Sequence, residues 1–216
     1  MILKKSLVLN KLLYIKILIF RLRLPQKPLF ITFNDKKNKM QIKEPFNLYK
    51  WIEDNKELLK PPVGNKNLYL ESGDYIVMIV GGPNARKDYH YNETEELFFQ
   101  IEGDILVKTQ QHGKCVDVPI KAGEMFLLPA KIPHSPVRPA NSVGLVIERK
   151  RKPHHKDGLM WFSDKENALL YEEYFHLTNI EKDFLPIFKK FYSDEKLRTC
   201  PISGEVMEVD KRFAED

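Results

Sequence analysis

The sequence predicts a mainly-β fold, an antiparallel sandwich or barrel, followed by an α-helical C-terminal appendage. Between residues 68 and 148, short extended runs alternate with turn signals at spacings of roughly 8–12 residues, the rhythm of such β folds. Beyond Arg149 the pattern changes, and a charged, Pro-containing stretch leads into apolar residues at helical spacing. The chain has 216 residues, 43% hydrophobic and 11% aromatic, which is ample for a sizeable core and too aromatic for disorder.

The elements follow in order. Asn47 to Leu59 reads as a short amphipathic helix with Asn47 as N-cap, Leu48, Trp51, Ile52, Leu58 and Leu59 on its apolar side, and Pro61-Pro62 as its stop. Extended runs are expected at 68–70, 75–80, 96–101, 105–109, 116–120, 125–128 and 143–148, each followed by Gly-, Asp-, Asn- or Pro-containing turns except the last. Residues 150–157 read as a linker. Ala168 to Tyr192 reads as helical, with Leu169, Leu170, Tyr174, Phe175, Leu177, Ile180, Phe184, Ile187, Phe188 and Phe191 as its apolar positions and Pro186 as a kink or break.

Charge and cysteines narrow the class of function. The net charge is +5, but residues 1–39 hold ten bases and one acid, leaving 25 bases against 29 acids in the rest. The body is therefore mildly acidic, and no nucleic-acid partner is expected. Lysines recur too often in residues 1–39 for a spanning helix, which needs about 20 mostly apolar residues, so no membrane partner is expected either. That segment is read as a disordered or artefactual basic extension, with Met40 as the initiator. Cys115 and Cys200 are too few for a disulfide framework, which points to a reducing compartment, the cytoplasm.

Two blocks carry the chemistry. The first runs from Gly81 to Gly103 and contains Arg86, Asp88 and His90 at period two, so an extended backbone puts them on one face. Glu96 lies beyond the turn-like Asn92-Glu93-Thr94. The second runs from Gly123 to Arg138, with His134, Pro136 and Arg138 again at period two. The other histidines (His112, His154, His155, His176) and Cys115 read as surface or packing residues.

These blocks resemble the two motifs of the cupin superfamily. His90, Glu96 and Gly103 match the first motif, with Asn92 where a second histidine is usual. Gly123, Pro129 and His134 match the second, with Lys131 where glycine is usual and Arg138 where asparagine is usual. The resemblance implies a double-stranded β-helix, or jelly-roll barrel, with His90, Glu96 and His134 as metal ligands. Two imidazoles and one carboxylate can take one face of an octahedral ion and leave the other positions open, as in non-haem Fe(II) oxygenases. The affinity order of divalent ions places Fe²⁺ below Zn²⁺ and Ni²⁺, so this donor set alone does not select iron.

At higher resolution, Gly81 to His90, Glu95 to Gln100, Phe126 to Pro129, Pro133 to Arg138 and Gly144 to Arg149 look like the 3-hydroxyanthranilate 3,4-dioxygenase family. Phe46 to Pro62 resembles that family's opening helix. The family opens the ring of 3-hydroxyanthranilate with O₂, and the product, 2-amino-3-carboxymuconate semialdehyde, cyclises to quinolinate, an NAD precursor in the kynurenine pathway of tryptophan breakdown. The resemblance implies one Fe(II) per chain on His90, Glu96 and His134, Arg86 beside O₂, substrate contacts from Arg138, Glu148 and Glu96, and a homodimer. It divides the chain into the extension at 1–39, a cupin dioxygenase domain at 40–149, and a linker and helical tail at 150–216.

The tail departs from the pattern. Members of the family often carry a rubredoxin-like iron held by two Cys-x-x-Cys pairs. The first pair falls near Trp161 to Glu166, which has no cysteine, and the second near Arg198 to Ser203, which keeps only Cys200. A degenerate module without structural iron, held by aromatic packing, is expected there. Two other readings stay open from the residues alone: a cupin oxygenase of another aromatic acid, and a non-catalytic metal-binding cupin module.

Overall fold

A computed structural model describes residues 44–61 and 64–213. The 1–39 extension and Pro62 lie outside the described residues. Asn47 caps the first helix as expected, its Oδ1 accepting from the Lys50 amide at 2.9 Å. That helix, α1, is shorter than the pattern implied: it covers Leu48–Asp54 and gives way to a 3₁₀ turn at Lys56–Leu59. Ile52 and Leu59 are buried against Ile79 and Val143, whereas Leu58, expected on the apolar side, is exposed because the 3₁₀ turn rotates it outward.

The strands among the described residues are β1 (Asn65–Asn67), β2 (Tyr75–Gly81), β3 (Tyr89–Tyr91), β4 (Glu96–Glu102), β5 (Ile105–Gln111), β6 (Lys114–Ile120), β7 (Met125–Leu128), β8 (His134–Val137), β9 (Val143–Arg149), β10 (Asp157–Phe162) and β11 (Leu169–Phe175). They form two antiparallel sheets, in the order β1-β2-β9-β4-β7 and β11-β10-β3-β8-β5-β6. The crossing of the chain between the sheets is the jelly-roll arrangement of a cupin barrel. Inward positions alternate along the strands, and Met78, Phe98, Ile105, Val107, Ile120, Leu128 and Val146 meet as the barrel core. Gly103 and Gly123, the motif glycines, sit at φ of 64° and 87°, where the chain turns into β5 and β7 and a Cβ would be strained.

Four readings are corrected. The strand expected at 68–70 ends at Asn67, whose side chain accepts from the Tyr69 amide and turns the chain away. Strands β3 and β8 are too short, and β8 too Pro-interrupted, for a periodicity signal. Residues 157–162 are not linker: β10 is a buried strand beside β3. Residues 169–175 are not helix: β11 pairs with β10 over its length, and its alternation of apolar and acidic residues serves a half-covered sheet.

Helix α2 (Ile180–Ser193) is the helical part of the tail, and it runs through Pro186 without breaking. Phe184, Ile187, Phe188, Phe191 and Tyr192 recur at helical spacing and pack on Leu159 and Trp161 of β10. Trp161 stacks on Phe191 with ring centroids 4.2 Å apart. That apolar face outweighs the lost Pro186 donor. A short helix, α3 (Glu195–Arg198), follows. The two segments aligned with the cysteine pairs do meet: Cys200 Sγ lies 3.5 Å from Glu166 Oε2, with Ser163 and Ser203 hydrogen-bonded to the same two groups. Among the described residues no helix is long and apolar enough to cross a membrane.

Candidate metal centre and its cavity

His90 lies in β3 and His134 in β8, and the two residues are direct partners across the six-stranded sheet. Glu96 opens β4 in the opposite sheet, with its side chain turned inward. One ligand atom from each of the three lies within 4.8 Å of the others, an arrangement able to hold a metal ion. His134 Nε2 stands 3.3 Å from Glu96 Oε2, and His90 Nδ1 stands 3.8 Å from Glu96 Oε1.

The ring nitrogens that face away are also engaged, and this decides the fit to a metal. His134 donates from Nδ1 to the Ile132 carbonyl at 3.0 Å, leaving Nε2 to face Glu96. His90 donates from Nε2 to Asp157 Oδ2 at 2.7 Å, leaving Nδ1 to face Glu96. A carboxylate or carbonyl on the far nitrogen fixes the tautomer and raises the ligand's basicity, as metal-binding histidines require.

Electrostatics agree. Burial holds His90 below its usual pKa against the pull of Asp157 and Glu96, which favours the neutral, ligating form. Burial opposes ionisation of Glu96, yet the His134 charge and hydrogen bond, His90 and Asn92 bring it down to about 2. Burial likewise opposes charge on His134, but Glu96 outweighs it and raises the pKa. An imidazole–carboxylate cluster of this kind offers neutral nitrogen and anionic oxygen donors, the chemistry of a divalent transition metal.

The three side chains lie in the wall of a cavity of about 700 Å³. Arg86, Arg138 and Glu148 line it too, as do apolar Met78, Val80, Phe98 and Val146. Arg86 and His90 thus reach the same space, as do His134, Pro136 and Arg138, as their period-two spacing implied. Asp88 instead is buried and holds Arg86, with Oδ1 3.3 Å from Nε. Arg86 also lies over the rings of Phe184 and Phe188, 5.8 and 5.5 Å from their centroids. Arg138 is 3% exposed, and burial lowers its pKa to about 10. Its one side-chain hydrogen bond to protein runs from Nη1 to Gln100 Oε1 at 3.3 Å. Burial and the nearby Glu96 charge push Glu148 up to about 7, against the Arg151 cation.

Sequence reasoning missed several residues here. Glu148 pairs with Arg151, not with Arg149 or Arg86. Asn92, read only as a lost histidine, donates to Glu96 and Glu148 at 3.1 and 3.2 Å. Asp157 and Arg151 were hidden in the supposed linker. The apolar run Leu159-Met-Trp-Phe162 just after Asp157-Gly158 was the signal for a buried strand there. Phe184, Leu185 and Phe188 bring the tail helix to the cavity wall, and Arg212 and Phe213 also reach it.

Known proteins resemble this chain at sequence level. A model of the 3-hydroxyanthranilic acid dioxygenase family matches residues 40–192. The chain is 54% identical over 170 residues to a 3-hydroxyanthranilate 3,4-dioxygenase of Xanthomonas campestris pv. campestris, covering 79% of this chain and 96% of that relative. It is 46% identical over 162 residues to a protein of the same name from Ruegeria pomeroyi, covering 74% and 89%. Among solved structures, a cupin-2 domain protein from Shewanella frigidimarina is 20% identical with a TM-score of 0.39, covering 46% of this chain and 92% of that one.

Proposed function

The chain belongs to the 3-hydroxyanthranilic acid dioxygenase family, and on that premise we propose that it opens the ring of 3-hydroxyanthranilate with O₂. The product is 2-amino-3-carboxymuconate semialdehyde, which closes to quinolinate, a precursor of NAD. The observation that carries the reading is the convergence of His90, Glu96 and His134 in the wall of a cavity that also presents Arg86, Arg138 and Glu148.

Fe(II) is the proposed cofactor, one per chain, held by His90, Glu96 and His134. When bound it supplies the passage of electron density from the aromatic ring to O₂. The protein's own residues do the rest. Arg138 has donors free to grip the substrate carboxylate through two parallel hydrogen bonds, and its burial strengthens that grip. Glu148 accepts from the substrate amine and so orients the ring. Glu96 lies beside the same space. Arg86 donates toward the oxygen on which negative charge grows, steadied by Asp88 and by the Phe184 and Phe188 rings. Those rings, with Met78, Val80 and Val146, keep water from the reacting atoms.

A homodimer in the cytoplasm completes the reading. Met125 and Leu127 are 64% and 53% exposed on the outer face of the five-stranded sheet, where Leu97, Phe99, Leu145 and Ile147 also lie, which supports a face covered by a second copy. Two free cysteines suit a reducing compartment. Residues 1–39 are read as dispensable, residues 40–149 as the dioxygenase domain, and residues 150–216 as a degenerate rubredoxin-like module. The family match beginning at residue 40 supports the first of these.

Oxygen uptake decides the function. Iron-loaded protein should consume O₂ when 3-hydroxyanthranilate is added and form the semialdehyde. Uptake only with a different aromatic acid would transfer the assignment to that substrate. Metal binding with no uptake would leave a non-catalytic module.

A further inference from the structure

Arg151 lies in the loop between β9 and β10 and is not part of the cavity wall, yet its side chain is only 5% exposed. Its guanidinium grips Asp157 as a fork, Nε to Oδ1 at 3.0 Å and Nη2 to Oδ2 at 2.7 Å. Its remaining terminal nitrogen, Nη1, donates to Glu148. Asp157 accepts from His90, and Glu148 accepts from Asn92, which also donates to Glu96. The contacts close a buried ring: His90, Asp157, Arg151, Glu148, Asn92, Glu96 and back to His90. Two of its members are candidate metal ligands and one is the candidate contact to the substrate amine. Asp157 and Glu148 come from different sheets, and Arg151 is the only cation hydrogen-bonded to either among the described residues.

We propose that Arg151 is a positioning residue that aims the His90 imidazole through Asp157 and the Glu148 carboxylate directly, so that metal retention and substrate contact depend on one guanidinium. The inference rests on the ligand and substrate roles proposed above. A planar fork is what the task needs: one face must satisfy two carboxylates in fixed directions, which a single ammonium cannot do. The far-side partner of a metal-bound histidine commonly governs affinity by about 10–100-fold.

The test uses the full chain stripped of metal and titrated with Co²⁺ under anaerobic conditions, beside kinetics of the iron-loaded enzyme. Arg151→Lys keeps the charge and loses the fork. It should weaken Co²⁺ binding about 10-fold or more and lower kcat, with an unchanged circular dichroism spectrum. Asp157→Asn should weaken Co²⁺ binding similarly, and the double variant should lose no more than the worse single one, because both act along one path. Co²⁺ affinity within about two-fold of wild type in folded Arg151→Lys, or losses that multiply in the double variant, would overturn the inference. A purely structural role would lower the melting temperature and leave the affinity of the folded protein alone. Should Arg151→Lys fail to fold, Asp157→Asn alone decides, since unaltered Co²⁺ affinity there removes the path to His90. Absence of O₂ uptake by the wild-type enzyme would overturn the proposed reaction instead, and the Co²⁺ affinities, which need no turnover, would still judge Arg151.

Discussion

Glu96 and Glu148 stand directly opposite one another on β4 and β9, both buried, and the side-chain amide of Asn92 donates to both. Two carboxylates this close repel, and the effect falls on Glu148, which is raised to about 7 while Glu96 is held near 2 by its histidines. The pair is tolerable because Asn92 supplies neutral donors between them and Arg151 and the histidines supply positive charge.

Asn92→Ala should therefore destabilise the metal-free protein. It strips a donor from two buried acceptors, a loss of about 2 kcal/mol or more. Denaturant titration at neutral pH measures it, and an unchanged midpoint would show that water replaces the amide.

His134→Ala removes one nitrogen donor and leaves Glu96 without its nearest partner, 3.3 Å away. Iron content after desalting should fall to background. Full occupancy in this variant would remove His134 from the ligand set.

Arg138→Lys should raise KM for 3-hydroxyanthranilate by about 10-fold, roughly the loss of one charge-assisted hydrogen bond. Iron content should stay at the wild-type level, since Arg138 touches none of the three ligands. Steady-state kinetics with metal analysis on the same samples separates the two effects, and an unaltered KM would count against a carboxylate contact.

Arg86→Gln keeps a donor near the cavity but loses the charge and the cation–π contacts with Phe184 and Phe188. A fall in kcat of about 10²-fold is expected, the usual size for a lost charge-stabilising donor. Rapid-mixing kinetics with O₂ would register it. Equal rates in the two proteins would place Arg86 outside the reaction.

Lys131 occupies the motif position where glycine is usual, and it retains the left-handed conformation at φ 66°, its amide donating to the Asn92 carbonyl at 2.8 Å. A side chain there carries roughly 1–2 kcal/mol of strain. Lys131→Gly relieves it but adds chain entropy to the unfolded state, so a net gain near 0.5 kcal/mol is expected. Thermal melting reads the sign, and a lower melting temperature would show that lysine makes contacts that offset the strain.

Legibility followed locality. Glu96 could be read because it lies six residues from His90 across one turn, and Arg138 because it shares a face of one strand with His134. Leu169 to Phe175 was misread because Leu169-Leu170 and Tyr174-Phe175 mimic helical spacing. Only pairing with β10 turns those residues into a strand. Asp157 looked like the end of a polar linker, since nothing near it in sequence says that a histidine lies across the sheet.

The amino-acid sequence by itself determined the donor set, the barrel class and the family, because His90, Glu96 and His134 sit at fixed short offsets from turns that their own glycines and prolines dictate. Tertiary structure alone decided what holds that donor set in place. Asp157 reaches His90 across 67 residues, Arg151 bridges the two sheets, and α2 brings Phe184 and Phe188 to the cavity wall. Those contacts depend on which strands become neighbours, and strand pairing is a property of the whole buried core rather than of any one segment.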